Sequence, residues 1–162
     1  MNDFILRKAE ARDAARIAAL LVDIARLHHA GRPDVFSDAG PKHGADDVRR
    51  MILSGTERIA VAADGDGRML GYAIAVIRDV PADGLIMPRR IYYIDDLCVD
   101  AKARRGGIGR ALLAYCRREA AELGCTGVEL NVWACNRDAV AFYEKCGMTV
   151  QRQIMEIAPD AG

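Results

Sequence analysis

The sequence predicts one α/β domain of the α+β kind, with a mixed, mostly antiparallel central sheet flanked by helices on both faces. Three observations predict it. The elements read in the order strand, two helices, three strands, loop, helix, strand, helix, strand, which fits helices layered on one sheet. The chain has 162 residues, 51% of them apolar, enough for a single domain over 1–162, fraying at 158–162, that buries roughly two-thirds of its unfolded surface. Residues 91–110 turn an apolar strand into a glycine-rich loop and then a helix, and the rest of the chain is arranged around that stretch.

Phe4 to Ala9 reads as the first strand. Arg12 to Ala25 follows as a helix whose positions Ala15, Ala18, Ala19, Val22 and Ala25 recur at helical spacing, with Asp13 placed to offset the helix dipole. His28 to Phe36 is too polar, and too broken by Pro33, for regular structure. It is either a surface connection or a loop that contacts substrate. Adjacent histidines cannot both face one point from a helix, which argues against a metal there. Asp46 to Leu53 is a short helix punctuated by Gly44 and Gly55. Arg58 to Ala63 and Met69 to Arg78 are strands around an Asp64-to-Gly67 turn, too short for a calcium loop. Val80 to Arg90, with Pro81, Gly84 and Pro88, is a longer connection. Ile91 to Val99 is a strand, Ile108 to Leu123 a helix, Gly127 to Trp133 a strand, and Asn136 to Lys145 a helix with Asn136 as its N-cap. Gln151 to Ile157 reads as the last strand.

Composition excludes several functions. Lys plus Arg equals Asp plus Glu at 23 each, so no global basic field argues for nucleic acid or an anionic membrane. The longest apolar stretches, such as Tyr72 to Ile77, fall far short of the ~20 residues that span a bilayer. Asp3, Arg7, Lys8 and Glu10 interrupt what a signal peptide would need to be apolar, so a cytoplasmic location is expected. The five cysteines (98, 116, 125, 135 and 146) are odd in number and lack a Cys-x-x-Cys pair, so neither a disulfide framework nor a metal site is expected. Cys98 is a weak candidate nucleophile, with no histidine near it in sequence.

The loop from Arg104 to Gly109 sits at a helix N-terminus, where unpaired N–H groups and the positive end of the dipole meet an anion. Gly106, Gly107 and Gly109 allow torsions closed to other residues and let a phosphate approach the main chain. Gly109 is followed by Arg110 and Ala111 rather than Lys-Ser/Thr, so a nucleotide triphosphatase loop is disfavoured. The spacing and late position also fail the dinucleotide fingerprint. What the residues spell, Arg104-x-x-Gly107-x-Gly109, resembles the Arg/Gln-x-x-Gly-x-Gly/Ala loop of the GCN5-related N-acetyltransferase (GNAT) superfamily. The strand before it, the helix and strand after it, the Asn136-to-Lys145 helix and the Cys146-Gly147-Met148 turn follow in that superfamily's order. The resemblance is specific over residues 91–150 and only architectural over the first 90.

The resemblance implies a GNAT-type sheet and acetyl-coenzyme A as co-substrate, with direct attack of a primary amine on the thioester in a ternary complex. It places the diphosphate on Arg104, Arg105, Gly106, Gly107, Ile108, Gly109 and Arg110. The backbone of Leu97, Cys98 and Val99 would pair with the pantetheine arm, which Asn136 also contacts. Tyr143, seven residues on and on the same helix face, would donate a proton to the leaving thiolate. An acceptor amine with a pKa near ~10.4 arrives charged and must lose a proton. Asp95 aligns with a glutamate that several polyamine-directed members use, so it is the expected base, through a water, or an anchor for the cation. Strict alternation puts Tyr93, Asp95, Leu97 and Val99 on one strand face and Asp96 on the other. Pairing of both aspartates with nearby arginines stays open, and so does packing of Tyr143 on Phe142. Tyr93, Asp96, His28, Asp34 and Phe36 are candidate acceptor contacts. The acceptor is a small-molecule or peptide amine, and the resemblance admits a homodimer. The alternative is a non-catalytic acyl-coenzyme A-binding regulatory domain.

Overall fold

The computed structural model describes residues 4–160. These form two compact units, one running to Asn131 and one beginning at Val132. Asp3 at one end, and Ala161 and Gly162 of the expected fraying tail at the other, lie outside the described residues.

The first unit is a five-stranded sheet in the order β1 (Phe4–Lys8), β2 (Arg58–Asp64), β3 (Met69–Val80), β4 (Arg89–Val99) and β5 (Gly127–Leu130). The first three pairings are antiparallel, and β4 pairs with β5 in parallel. A parallel neighbour needs a crossover, and α3 (Ile108–Glu122) supplies it. Helices α1 (Ala14–Gly31) and α2 (Ala45–Ser54) cover the other face. There Ile17, Leu20, Leu21 and Val48 close on Val61, Tyr72, Ile74 and Cys98. On the α3 side, Tyr92 donates to Glu119 at 2.7 Å, and Glu119 also pairs with Arg58 of β2. One carboxylate thus ties α3 to two strands. The mostly antiparallel sheet with helices on both faces is the architecture expected from the sequence.

Several expectations need correction. Helix α1 buries Ala14, Ile17, Leu20 and Leu21, not the stripe of Ala15, Ala18, Ala19, Val22 and Ala25. Both stripes are apolar, and the larger side chains gain more from burial. The helix also continues through His28 and His29 to Gly31, where the Arg32 N–H still bonds the His28 carbonyl at 2.9 Å. Pro33 acts only two residues past that end. The Asp13 carboxylate does not cap the helix but accepts from Arg7 at 2.7 and 3.0 Å and from the Glu10 N–H at 2.7 Å. Strand β5 stops at Leu130, short of Trp133, because its last partner on β4 is Ile94 and β4 bulges at the next residue.

In the second unit, α4 (Arg137–Lys145) starts where the Asn136 side chain accepts from the Ala139 N–H at 3.2 Å, the N-cap role its residue type predicts. It ends as the Gly147 N–H bonds the Glu144 carbonyl at 2.9 Å and the Met148 N–H bonds the Tyr143 carbonyl at 3.0 Å. Gly147, at φ 88°, takes the left-handed torsion this closure demands. The strand expected over Gln151 to Ile157 does not form, and residues 149–160 are exposed without regular structure. Ile154 and Met155 are adjacent, so a strand there would present neither face as uniformly apolar.

Candidate active site

The centre of the first unit's site is a bulge. Across β3 and β4, Ile74 pairs with Asp96 but Ala75 pairs with Ile94, so Asp95 is the extra residue. The extra residue reverses the alternation that follows it. Tyr93, Asp96 and Cys98 therefore lie on the α1/α2 face with their β3 neighbours Val76, Ile74 and Tyr72, while Leu97 turns away. The expectation that Tyr93 and Asp96 diverge is overturned by this register shift. Asp95 is exposed and Asp96 is half-buried.

Burial dominates the chemistry on that face. It pushes the Asp96 carboxyl up to about 7; Tyr72 works against the rise and the Asp95 charge adds to it. Burial, and then the charge of Asp96, pushes the Cys98 thiol up to about 12. A thiol held protonated is a poor nucleophile, so Cys98 is a core residue. The Tyr72 hydroxyl is fully buried, raised in pKa by burial, and has no closed hydrogen bond among the described residues. Gly71, next to it, has no room for a side chain, since a Cβ would stand 2.8 Å from the Cys98 carbonyl oxygen.

Past Val99 the chain turns through Asp100, which accepts from the Lys102 N–H at 3.0 Å and pairs with Arg16 and, at 3.4 Å, Arg68. Arg104 then bonds back to the Val99 carbonyl through Nε at 3.2 Å. Arg105 holds φ at 65°, the one positive φ of a non-glycine residue among those described, and Gly107 follows at 80°. The first helical bond of α3 runs from Ala111 to Gly107 at 3.0 Å. The N–H groups of Ile108, Gly109 and Arg110 precede it and point out of the helix end. No side chain caps this end, and a Cβ on Gly107 would meet nothing within 4 Å. An open cradle of main-chain amides with arginines beside it suits a diphosphate.

The acceptor-side candidates divide. His28 stacks on Phe36 at 4.8 Å between ring centroids, and His29 Nδ1 lies 2.7 Å from the Phe36 carbonyl oxygen, which folds the loop back on the end of α1. Asp34 is paired with Arg32 at 2.7 Å, so its charge is satisfied locally. The Arg78 guanidinium lies 3.3 Å from the centroid of the Tyr93 ring and covers that face. In the second unit, Tyr143 meets Phe142 edge-on at 5.1 Å and is half-buried.

The sequence model of the acetyltransferase (GNAT) family matches residues 11–148, reaching into both units. The chain belongs to the GNAT family. The uncharacterized N-acetyltransferase YhfO of Bacillus subtilis (strain 168) is 27% identical over 142 residues, 88% of this chain and 87% of that protein. The crystal structure of a mutant BH1408 protein from Bacillus halodurans matches with a TM-score of 0.90 and 28% identity, covering 96% of this chain and 99% of that one. Glucosamine-6-phosphate N-acetyltransferase from Arabidopsis thaliana shares the fold, with a TM-score of 0.70 at 19% identity, over 97% of this chain and 99% of that one.

GNAT membership implies acetyl-coenzyme A as co-substrate, and the open amide cradle at Gly107 fits its diphosphate. No group of three or more metal-binding side chains is found among the described residues, and no helix among them is long and apolar enough to cross a membrane. Sequence reasoning missed Tyr72 and Asp100. Tyr72 was hidden in an apolar run, and Asp100 had only its place just past a strand to mark it.

Proposed function

We propose that this chain moves the acetyl group of acetyl-coenzyme A to a primary amine by direct attack within a ternary complex. The observation that carries the reading is the end of the β4–β5 ladder at Ile94, which leaves Leu97, Cys98 and Val99 without a β5 partner just before the amide cradle. An extended pantetheine arm would pair with that edge as a further strand. Arg104, Arg105, Gly106, Gly107, Ile108, Gly109 and Arg110 hold the diphosphate in this account, and a main-chain N–H near the bulge polarises the thioester carbonyl. Asn136 contacts the pantetheine arm, and the Tyr143 hydroxyl gives its proton to the departing thiolate. A carboxylate at the bulge, Asp95 or Asp96, receives the proton of a cationic acceptor, directly or through a water; the acceptor is a small metabolite or a peptide amino terminus.

The test is Tyr143→Phe. Turnover with an accepted amine, followed by release of the coenzyme A thiol, should fall roughly 100-fold or more, while calorimetric affinity for acetyl-coenzyme A stays as in the parent. Unchanged turnover would remove Tyr143 from the mechanism. A parent protein that binds acetyl-coenzyme A and acetylates no amine would favour a non-catalytic binding domain.

A further inference from the structure

Two carboxylates stand at the bulge, and the structure gives them unlike surroundings. Asp95 is the extra residue and projects into solvent. Asp96 lies on the α1/α2 face, beside Ile74 and diagonal to Tyr72, whose hydroxyl is buried without a closed hydrogen bond among the described residues. A buried hydroxyl left in that state is costly unless a neighbour can use it.

Resting on the acetyltransferase reading above, we propose that Asp96, rather than Asp95, accepts the proton of the acceptor ammonium, with Tyr72 as the residue that positions its carboxylate. The ammonium N–H bond breaks, its proton goes to Asp96, and the freed lone pair attacks the thioester carbonyl carbon. The C–S bond then breaks with its electron pair on sulfur, and the thiolate takes the Tyr143 proton. The second proton lost from nitrogen reprotonates the phenolate, and Asp96 returns its proton to solvent. One ammonium and one thioester thus give one amide, one thiol and one proton.

The groups around Asp96 support this role. Tyr72 comes from β3, Asp95 and Cys98 come from β4, and the charges of Asp23 on α1 and Arg104 at the loop are felt at Cys98. Burial holds the Asp96 carboxyl at about 7, so it exchanges protons near neutrality, where a general base is most effective. An exposed carboxylate such as Asp95 has no comparable burial. It remains well placed to attract a cation.

Asp96→Asn, Asp95→Asn and Tyr72→Phe would be compared with the parent, using ethylamine, a cation at neutral pH, and hydroxylamine, which is neutral there. Asp96→Asn should lose roughly 100-fold or more with ethylamine and little with hydroxylamine, which needs no deprotonation. Asp95→Asn should keep an acid limb, moved to lower pH by loss of the charge that raises the Asp96 pKa, and Tyr72→Phe should move that limb to higher pH by removing the group that lowers it. Equal loss for both amines, or an acid limb that disappears in Asp95→Asn, would overturn the proposal. A carboxyl carbon resonance, assigned by its absence in Asp96→Asn, needs no acceptor. It should titrate at about 7, and a midpoint in the ordinary carboxylate range would overturn the proposal by itself. Failure of the acetyltransferase reading would show differently, as a parent protein without saturable acetyl-coenzyme A binding.

Discussion

Replacing Asp96 with Asn should stabilise the fold at neutral pH and above, and the gain should vanish in acid. The carboxyl moves from 3.8 to about 7 in the folded protein, chiefly through burial. A carboxyl with a raised folded pKa binds more protons folded than unfolded between those two values, so its contribution to stability falls as pH rises through that window. The loss is complete above about 7. Three pKa units at 1.36 kcal/mol each give about 4 kcal/mol as an upper bound, which relaxation around a half-buried group reduces to about 2. An amide cannot ionise, so Asp96→Asn escapes this cost while keeping an oxygen for the Tyr72 hydroxyl. Urea unfolding followed by circular dichroism from pH 4 to 9 reads the difference. The variant should be more stable by about 2 kcal/mol at pH 8 and converge on the parent toward pH 4. A gap that stays constant with pH, or one that opens in acid, would refute the reasoning.

Two further substitutions test the frame of the first unit. Gly71→Ala puts a Cβ 2.8 Å from the Cys98 carbonyl oxygen, and the backbone must move to relieve it, so urea unfolding should show a loss of about 1–3 kcal/mol. Asp13→Asn breaks the ion pair with Arg7 and should cost about 3 kcal/mol at neutral pH. Burial pushes the Asp13 carboxyl up, but Arg7 and the Glu10 N–H hold it below its usual range. Its stabilisation is therefore present above the unfolded value and lost as pH falls through the lower folded one. The variant's deficit should shrink below pH 4.

The sequence was legible where chemistry is local. The helix period from Ile108 and the Asn136 cap each act within a few residues, and the structure starts both helices where the residues put them, with Gly107 of the three loop glycines in the left-handed torsion. It was misleading where the outcome depends on a partner strand. Alternation along β4 set Asp96 opposite Tyr93, whereas the two share a face, because the bulge at Asp95 is a property of pairing with β3 and leaves no mark in β4 alone. Gln151 to Ile157 was expected as a strand, but its apolar residues do not alternate, and it takes no regular structure. The competing apolar stripes of α1 were resolved by side-chain volume, which a count of apolar positions does not weigh. Tyr72 shows the limit most plainly, since its hydroxyl acquires meaning only beside Asp96.

The most direct test compares acetyl-coenzyme A with S-acetylpantetheine, which carries the same thioester and arm but no diphosphate, by calorimetric titration of the parent protein. If the amides at the start of α3 grip the diphosphate, acetyl-coenzyme A binds saturably with one site per chain and S-acetylpantetheine binds at least roughly 100-fold more weakly. Equal affinities for the two, or no saturable heat with acetyl-coenzyme A, would contradict the account.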